Sequence, residues 1–168
     1  MRYREANLIQ RFMRWSAATA PMSWVYVRVL HLIDRPIYRL TRGRHTIVNL
    51  VSGLPVVMLP TTGAKTGQQR VRPVLGLPDG DNLVAIASNW GQPQHPAWYH
   101  NLCAHPETTV TVGGVARRVL AHEAIGEERE RLWRRALEVY PGWAAYQRRV
   151  THRRIPVMVL APVTDTTA

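Results

Sequence analysis

The chain has 168 residues, 46% apolar and 20% charged, a composition that fits one globular domain with a real core and excludes a disordered chain. Its net charge of +11 implies an anionic partner, whether nucleic acid, an acidic membrane face or a phosphorylated small molecule, without choosing among them. A single cysteine, Cys103, excludes an internal disulfide framework, fits a reducing compartment and is expected to be buried and inert.

In chain order, residues 5–18 ("EANLIQRFMRWSAA") read as an amphipathic helix. Leu8, Ile9, Phe12, Met13 and Trp15 share one side, opposite Asn7, Gln10, Arg11 and Arg14. Pro21 ends it, and a second helix is predicted over 23–34, before Pro36. With Arg2 and Arg4 nearby, the first helix can lie on an anionic membrane surface; the competing reading packs it on the domain or on a partner subunit. No stretch reaches the roughly 20 apolar residues of a spanning helix, and Arg11 and Arg14 interrupt any signal-peptide core. The expected location is the cytoplasm, with peripheral attachment to the inner face of the cell membrane.

From about residue 54 the apolar period changes to two. "LPVVMLPTT" and "QRVRPVLGLP" read as strands joined by the Gly63–Gly67 loop; "PDGD" is a turn and "NLVAIAS" a buried strand. "HPAWYHNLCAH" is a short helix. "TTVTVGGVARRVLAHEA" folds back on itself at Gly113–Gly114, "EERERLWRRALEVY" is a helix with acidic residues in its first turn, and "IPVMVLAP" closes the fold as a strand. About six mainly antiparallel strands with inserted helices predict a small barrel in an α+β domain. The division expected is 1–45 for the N-terminal helices, 46–163 for the barrel and 164–168 for a tail.

Three stretches carry candidate chemistry. The loop "GAKTGQQRVRP" contains the only lysine, Lys65, among 22 basic residues. It is not a phosphate-binding P-loop, because Leu59 and Ala64 stand where glycines are required and a strand follows where a helix should. Lys65, Arg70 and Arg72 can still converge on an anion, against the plain alternative of a solvated hairpin. His95, His100 and His105 recur every five residues, which on a helix sets successive rings about 140° apart, so no metal site is expected. Tyr140, Trp143 and Tyr146 recur every three residues along one helical edge and are either core or one wall of a flat aromatic pocket.

Taken together, "TTGAKTGQQRVRP", "ASNWGQPQHPAWYHNL" and "YPGWAAYQRRVTHRRIPVMVLAP" resemble the deazaflavin-dependent nitroreductase and quinone reductase family, in order and without obvious gaps from about Pro55 to Pro162. Its members are split β-barrels, akin to FMN-binding ones, that use coenzyme F420, an 8-hydroxy-5-deazaflavin. The resemblance implies that Lys65, Thr66, Arg70, Arg72 and the backbone near Ala64 and Val71–Pro73 hold the cofactor's phosphodiester and polyglutamate end. It also implies that Ala87, Ser88, Asn89, Ala97, Trp98 and Asn101 lie against the ring. Tyr140, Trp143 and Tyr146 would face the acceptor, with Ser88 as hydrogen-bond donor and Tyr146 as proton source.

This chain departs from the family pattern at Ala64, at Asn89-Trp90-Gly91 in place of Lys-Gly-Gly, and at Trp143 in place of tyrosine. Losing two positive charges should weaken the grip on the tail, Arg72 partly compensating. The implied reaction is hydride transfer from reduced deazaflavin to a small-molecule electron acceptor such as a quinone, nitroaromatic or enone. A homodimer is compatible with this reading. The competing readings are an FMN-binding split barrel and a non-enzymatic basic module for membrane or RNA; the absence of any recognised nucleic-acid motif speaks against the last.

Overall fold

A computed structural model describes residues 56–112 and 115–163. The elements run β1 (Val56–Thr62), β2 (Gln69–Asp79), β3 (Asn82–Ile86), a 3₁₀ turn (Asn89–Gly91), α1 (Ala97–Ala104), β4 (Glu107–Val112), β5 (Val115–Glu123), α2 (Gly126–Val139), α3 (Gly142–Arg149) and β6 (Val157–Pro162). The two N-terminal helices and the tail expected from the sequence lie outside the described residues, as does the Gly113–Gly114 fold-back.

The six strands close into a barrel in the order β1-β2-β3-β6-β5-β4, every pairing antiparallel. The seam is the pairing of β1 with β4, where Met58 faces Thr111 and the Thr108 hydroxyl donates to the Pro60 carbonyl at 2.6 Å. Because side chains alternate along a strand, every second residue points inward. Val57, Leu59, Leu83, Ala85, Val119, Ala121, Met158 and Leu160 fill the interior, and Trp98 and Leu102 of α1 complete the same cluster. The alternate residues of β3 and β6, namely Val84, Ile86, Val157 and Val159, face outward under α2 and α3, against Leu132, Ala136, Trp143 and Tyr146. Both sheet faces are therefore apolar there, which is why "NLVAI" and "VMVLAP" read as continuous apolar runs.

Helix α2 shows the pattern of a one-sided surface helix, with Leu132 and Ala136 buried and Glu127 and Glu128 in its first turn, where the helix dipole favours negative charge. Its outer side is tied to the β2–β3 turn by one carboxylate. Asp79 accepts from Arg131 at 2.9 and 2.8 Å and from Arg135 at 2.9 Å. The Arg131 hydrogen bond, ahead of the two guanidinium charges, holds the Asp79 carboxyl below its ordinary value of 3.8.

That shift fixes a pH signature. A carboxylate stabilised in the folded state contributes stability that is fully present above its unfolded value and lost as pH falls through the folded one. Chemical denaturation of Asp79→Asn should give a lower stability than wild type at neutral pH. The difference should shrink as pH falls below about 3.8. A difference independent of pH would show that the carboxylate contributes through packing alone.

Candidate functional site

The loop between β1 and β2 folds on itself through short backbone bonds. Gly63 N donates to Gln68 O at 2.9 Å, and Gly67 N donates to Gly63 O at 2.8 Å. Gly67 has φ 66°, a left-handed conformation that glycine adopts without a Cβ penalty. Lys65 and Thr66 sit exposed at the tip. In β2, Arg70 pairs with Thr61 and Arg72 with Leu59, so both arginines project on the same side of the strand, with Val71 and Pro73 on the other.

Several other arginines are neutralised: Arg118, Arg129, Arg131, Arg135 and Arg154 pair with carboxylates. Lys65, Arg70 and Arg72 pair with none among the described residues, and Arg70 makes only a bond to the Gln68 side-chain oxygen, at 3.3 Å. β2 is paired with β1 from Gln69 to Leu75 but meets β3 only over Gly76–Asp79. Its 69–75 stretch therefore has one edge without a strand partner among the described residues, beside three cations without counter-ions.

A single amide joins this loop to α1. Asn101 is buried; its Nδ2 donates to Thr61 Oγ1 at 3.0 Å and its Oδ1 accepts from Ala64 N at 3.0 Å. Asn101 thus acts here as the tie between the barrel end and the loop. Trp98 is buried in the barrel cluster, and Ala97 is exposed at the start of α1.

Beyond β3 the chain leaves the barrel through a strained turn. Ala87, buried, still bonds to the β6 side through Pro156 O at 2.9 Å. Asn89, Trp90 and Gly91 then have φ of 49°, 57° and 73° in succession. Asparagine tolerates that region, but for tryptophan it costs on the order of 1–3 kcal/mol, and such strain clusters at functional sites. At Gly91 a Cβ would also press to 3.3 Å from the Tyr146 backbone. Ser88, 8% exposed, heads the turn, and its hydroxyl makes no hydrogen bond to the described residues. A nearly buried hydroxyl left unpaired is unusual in a native protein and marks a place for a ligand atom.

The third stretch supplies the hold on that turn, and here sequence reasoning missed the working residues. Arg153 Nη2 donates to both the Ser88 and Gln92 carbonyls at 2.9 Å. Arg149 reaches Trp90 O at 3.3 Å, and the His152 ring meets Pro93 O at 2.9 Å. The signal in the sequence was the basic run "RRVTHRR" after the aromatic stripe, whose targets are some sixty residues away. Trp90 itself packs, half-buried, against the outer core cluster.

Tyr140, Trp143 and Tyr146 are core residues, at 5%, 2% and 2% exposure. Tyr140 precedes α3 in extended conformation, so the three do not share one helical edge. They meet instead as a packed cluster, with Tyr140 ring centroids 5.3 Å from Trp143 and 6.0 Å from Tyr146, and the two tyrosine hydroxyls 3.0 Å apart. As placed, they support the 88–91 turn from below.

Two expectations about α1 need correction. Cys103 is exposed, because the helix buries the side carrying Trp98, Asn101 and Leu102. The His95 and His100 rings are neighbours, 5.8 Å apart, because His95 lies before the helix and Pro96 is extended, so helical spacing does not apply between them. Among the described residues no three metal-ligating side chains are gathered in one place. A groove of about 580 Å³ lies along α2, lined by Gly126, Glu127, Glu130, Arg131, Arg134 and Arg154, and contains none of the residues singled out in the sequence. Its Arg131 and Arg154 are already paired with carboxylates.

The loop is thus tied to α1 through Asn101, and the turn after β3 is clamped by Arg149, His152 and Arg153. Comparison with known proteins points the same way. The model of the F420H(2)-dependent quinone reductase family matches residues 33–162. An F420H(2)-dependent quinone reductase of Mycobacterium tuberculosis is 41% identical over 143 residues, covering 81% of this chain and 91% of that protein. A solved F420-H2 dependent reductase superposes with a TM-score of 0.58 at 39% identity, covering 63% of this chain and 93% of the other. A second solved chain, described as a domain-swapped dimer, gives 0.60 at 34% identity and covers 84% and 99%. With the family model spanning most of its length and a 41% identical relative covered over 91% of its own, the chain belongs to the F420H(2)-dependent quinone reductase family and is an oxidoreductase whose cofactor is coenzyme F420.

Proposed function

We propose that this protein transfers a hydride from reduced F420 to a flat, electron-poor acceptor, a quinone first of all and nitroaromatics or enones by the same chemistry. The observation that carries the reading is that, among the described residues, cations without carboxylate partners at an unpaired stretch of β2 accompany a hydroxyl without a hydrogen-bond partner at the head of a strained turn. The first suits a long anionic tail. The second suits a polar atom on a ring or acceptor.

The bound reduced cofactor supplies the hydride. Lys65, Arg70 and Arg72 hold the phosphodiester and carboxylates, aided by Thr66 and the backbone at Ala64 and Val71–Pro73. Asn101 sets the loop against α1, so the anionic end and the ring end of the site keep a fixed separation. Ala87, Ser88 and Asn89 line the ring side together with Ala97 and Trp98, and Ser88 Oγ donates where negative charge develops on the acceptor. Tyr140, Trp143 and Tyr146 serve the site as a rigid floor. No side chain has to act as a strong acid or base. A direct assay decides the reading: reduced F420 and menadione, with the protein present or absent, followed by F420 oxidation. Parallel runs use a nitroaromatic, an enone and FMN in place of F420. No protein-dependent oxidation with any acceptor would remove the proposal, and turnover with FMN alone would favour a flavin-binding barrel.

A homodimer is supported by the similarity to the domain-swapped neighbour, and attachment to an anionic membrane by the basic, amphipathic pattern of residues 2–15. Vesicle co-sedimentation tests the attachment. Full-length protein should pellet with anionic but not neutral vesicles, and a chain starting at Gly43 should stay in solution.

Two substitutions examine the site. Lys65→Ala and Arg70→Ala should each weaken F420 affinity about 10- to 100-fold, as expected for losing a charge-assisted hydrogen bond, with little change in melting temperature because both side chains are exposed. Unchanged affinity in the double variant would give the loop another role. Tyr146→Phe removes one of two hydroxyls 3.0 Å apart in the core. Its stability should fall by about 1 kcal/mol while turnover at saturating cofactor stays within about twofold. Lost turnover at full stability would return that hydroxyl to the chemistry as a proton source.

A further inference from the structure

We infer that Arg153 is the positioning residue of the ring-side turn, its guanidinium holding the Ser88 and Gln92 carbonyls that bracket the left-handed Asn89–Gly91 and so presenting the Ser88 hydroxyl; the inference rests on the function proposed above. One side chain spans both ends of the turn. Nη2 donates to Ser88 O and to Gln92 O, each at 2.9 Å, and Nε adds a longer bond to Gln92 O at 3.3 Å. Nη1 lies 3.1 Å from His95 Nδ1, which extends the hold to the start of α1.

The choice of partners is telling. Arg154, the next residue, pairs with Glu130, whereas no carboxylate among the described residues pairs with Arg153. A half-buried cation that meets only carbonyls and a neutral imidazole adds no ion-pair energy. What it provides is a planar fork of five N–H donors, a shape that can bind several acceptors at once and that a lysine cannot copy. The imidazole must present a lone pair at Nδ1 to accept from that fork, and burial, with the Arg153 charge next, holds His95 below its ordinary value. The other groups facing His95 are the Tyr99 and His100 rings, Glu123 and His152.

A hold of this kind is required because the turn does not favour its own conformation. Asn89 and Trp90 are non-glycine residues at positive φ, and such residues persist only where their surroundings over-determine them. Without the fork the turn can relax, moving Ser88 relative to the loop that grips the cofactor's far end. The loop does not depend on Arg153; its ties run through Asn101 and the barrel. Affinity and turnover should therefore separate.

The experiment uses full-length Arg153→Ala and Arg153→Lys, with F420 titration, kcat for menadione at saturating reduced F420, thermal melting, and the circular dichroism of bound F420, which reports the ring's setting. Arg153→Ala is expected to keep F420 affinity within about threefold while kcat falls about tenfold or more, since small displacements of reacting groups have large rate effects. The dichroism of the bound ring should change, and Arg153→Lys should recover part of the rate through its single ammonium. If Arg153→Ala does not fold, Arg153→Lys decides: reduced kcat at unchanged affinity supports the inference, and wild-type kcat overturns it. Affinity and kcat falling in step, or a folded alanine variant with wild-type turnover and dichroism, also overturns it. Failure of the underlying function would show separately, as a wild-type protein that neither binds F420 nor reduces menadione.

Discussion

Closure of six strands around a dry interior is the constraint on which the rest of this structure depends. A closed barrel leaves no sheet edge to spare except where a strand runs past its neighbour, and β2 does that over Gln69–Leu75. The seam is narrow: one facing pair, Met58 and Thr111, and a hydroxyl-to-carbonyl bond from Thr108 to Pro60. There a threonine hydroxyl, not a backbone amide, satisfies the Pro60 carbonyl. Once the interior is filled by alternate residues, the register of β2 fixes which side Arg70 and Arg72 take. The direction of the cationic face follows from the packing of Val57 and Leu59, residues without chemistry of their own.

Charge in this protein is used in two distinct ways. Around α2 it is neutralised locally: Asp79 receives Arg131 and Arg135, and Glu130 receives Arg129 and Arg154. The pairs through Asp79 and Arg154 fasten the helix to the rest of the fold, and all of them leave little field at a distance. At Lys65, Arg70 and Arg72 there is no such neutralisation among the described residues, so the potential is available to a ligand. The net excess of +11 therefore says less than the placement of three cations out of 22 basic residues.

The turn after β3 is built on the opposite principle, strain held in place by hydrogen bonds. Three successive residues at positive φ form the sharp exit from β3, and side chains of α3 and the segment after it hold the carbonyls of that exit. The aromatic floor under the turn is rigid because its hydroxyls satisfy each other and its rings meet edge to face. A deazaflavin needs such rigidity more than it needs acids and bases, since hydride transfer depends on distance and angle.

The sequence by itself determined the strands, the fold class and the family. Short apolar runs bounded by turn residues marked the strands, the runs of β3 and β6 reflecting two buried faces, and the motifs kept their family spacing, so these were legible locally. It also showed that Lys65 and Arg70 stand out, because a lone lysine between glycines is visible without a fold. Tertiary structure decided the rest. Whether Tyr140, Trp143 and Tyr146 are wall or floor depends on which helix ends before them, and Tyr140 lies between helices, where periodicity carries no direction. Cys103 and the His95–His100 contact were misjudged for a related reason: the burying side of a short helix with little amphipathic contrast, and the point where it begins at Pro96, are set by what it packs on. The roles of Arg153 and Asn101 could not be read from the chain at all, since their partners are 65 and 37 to 40 residues distant and only folding brings a guanidinium to one carbonyl and an amide to another.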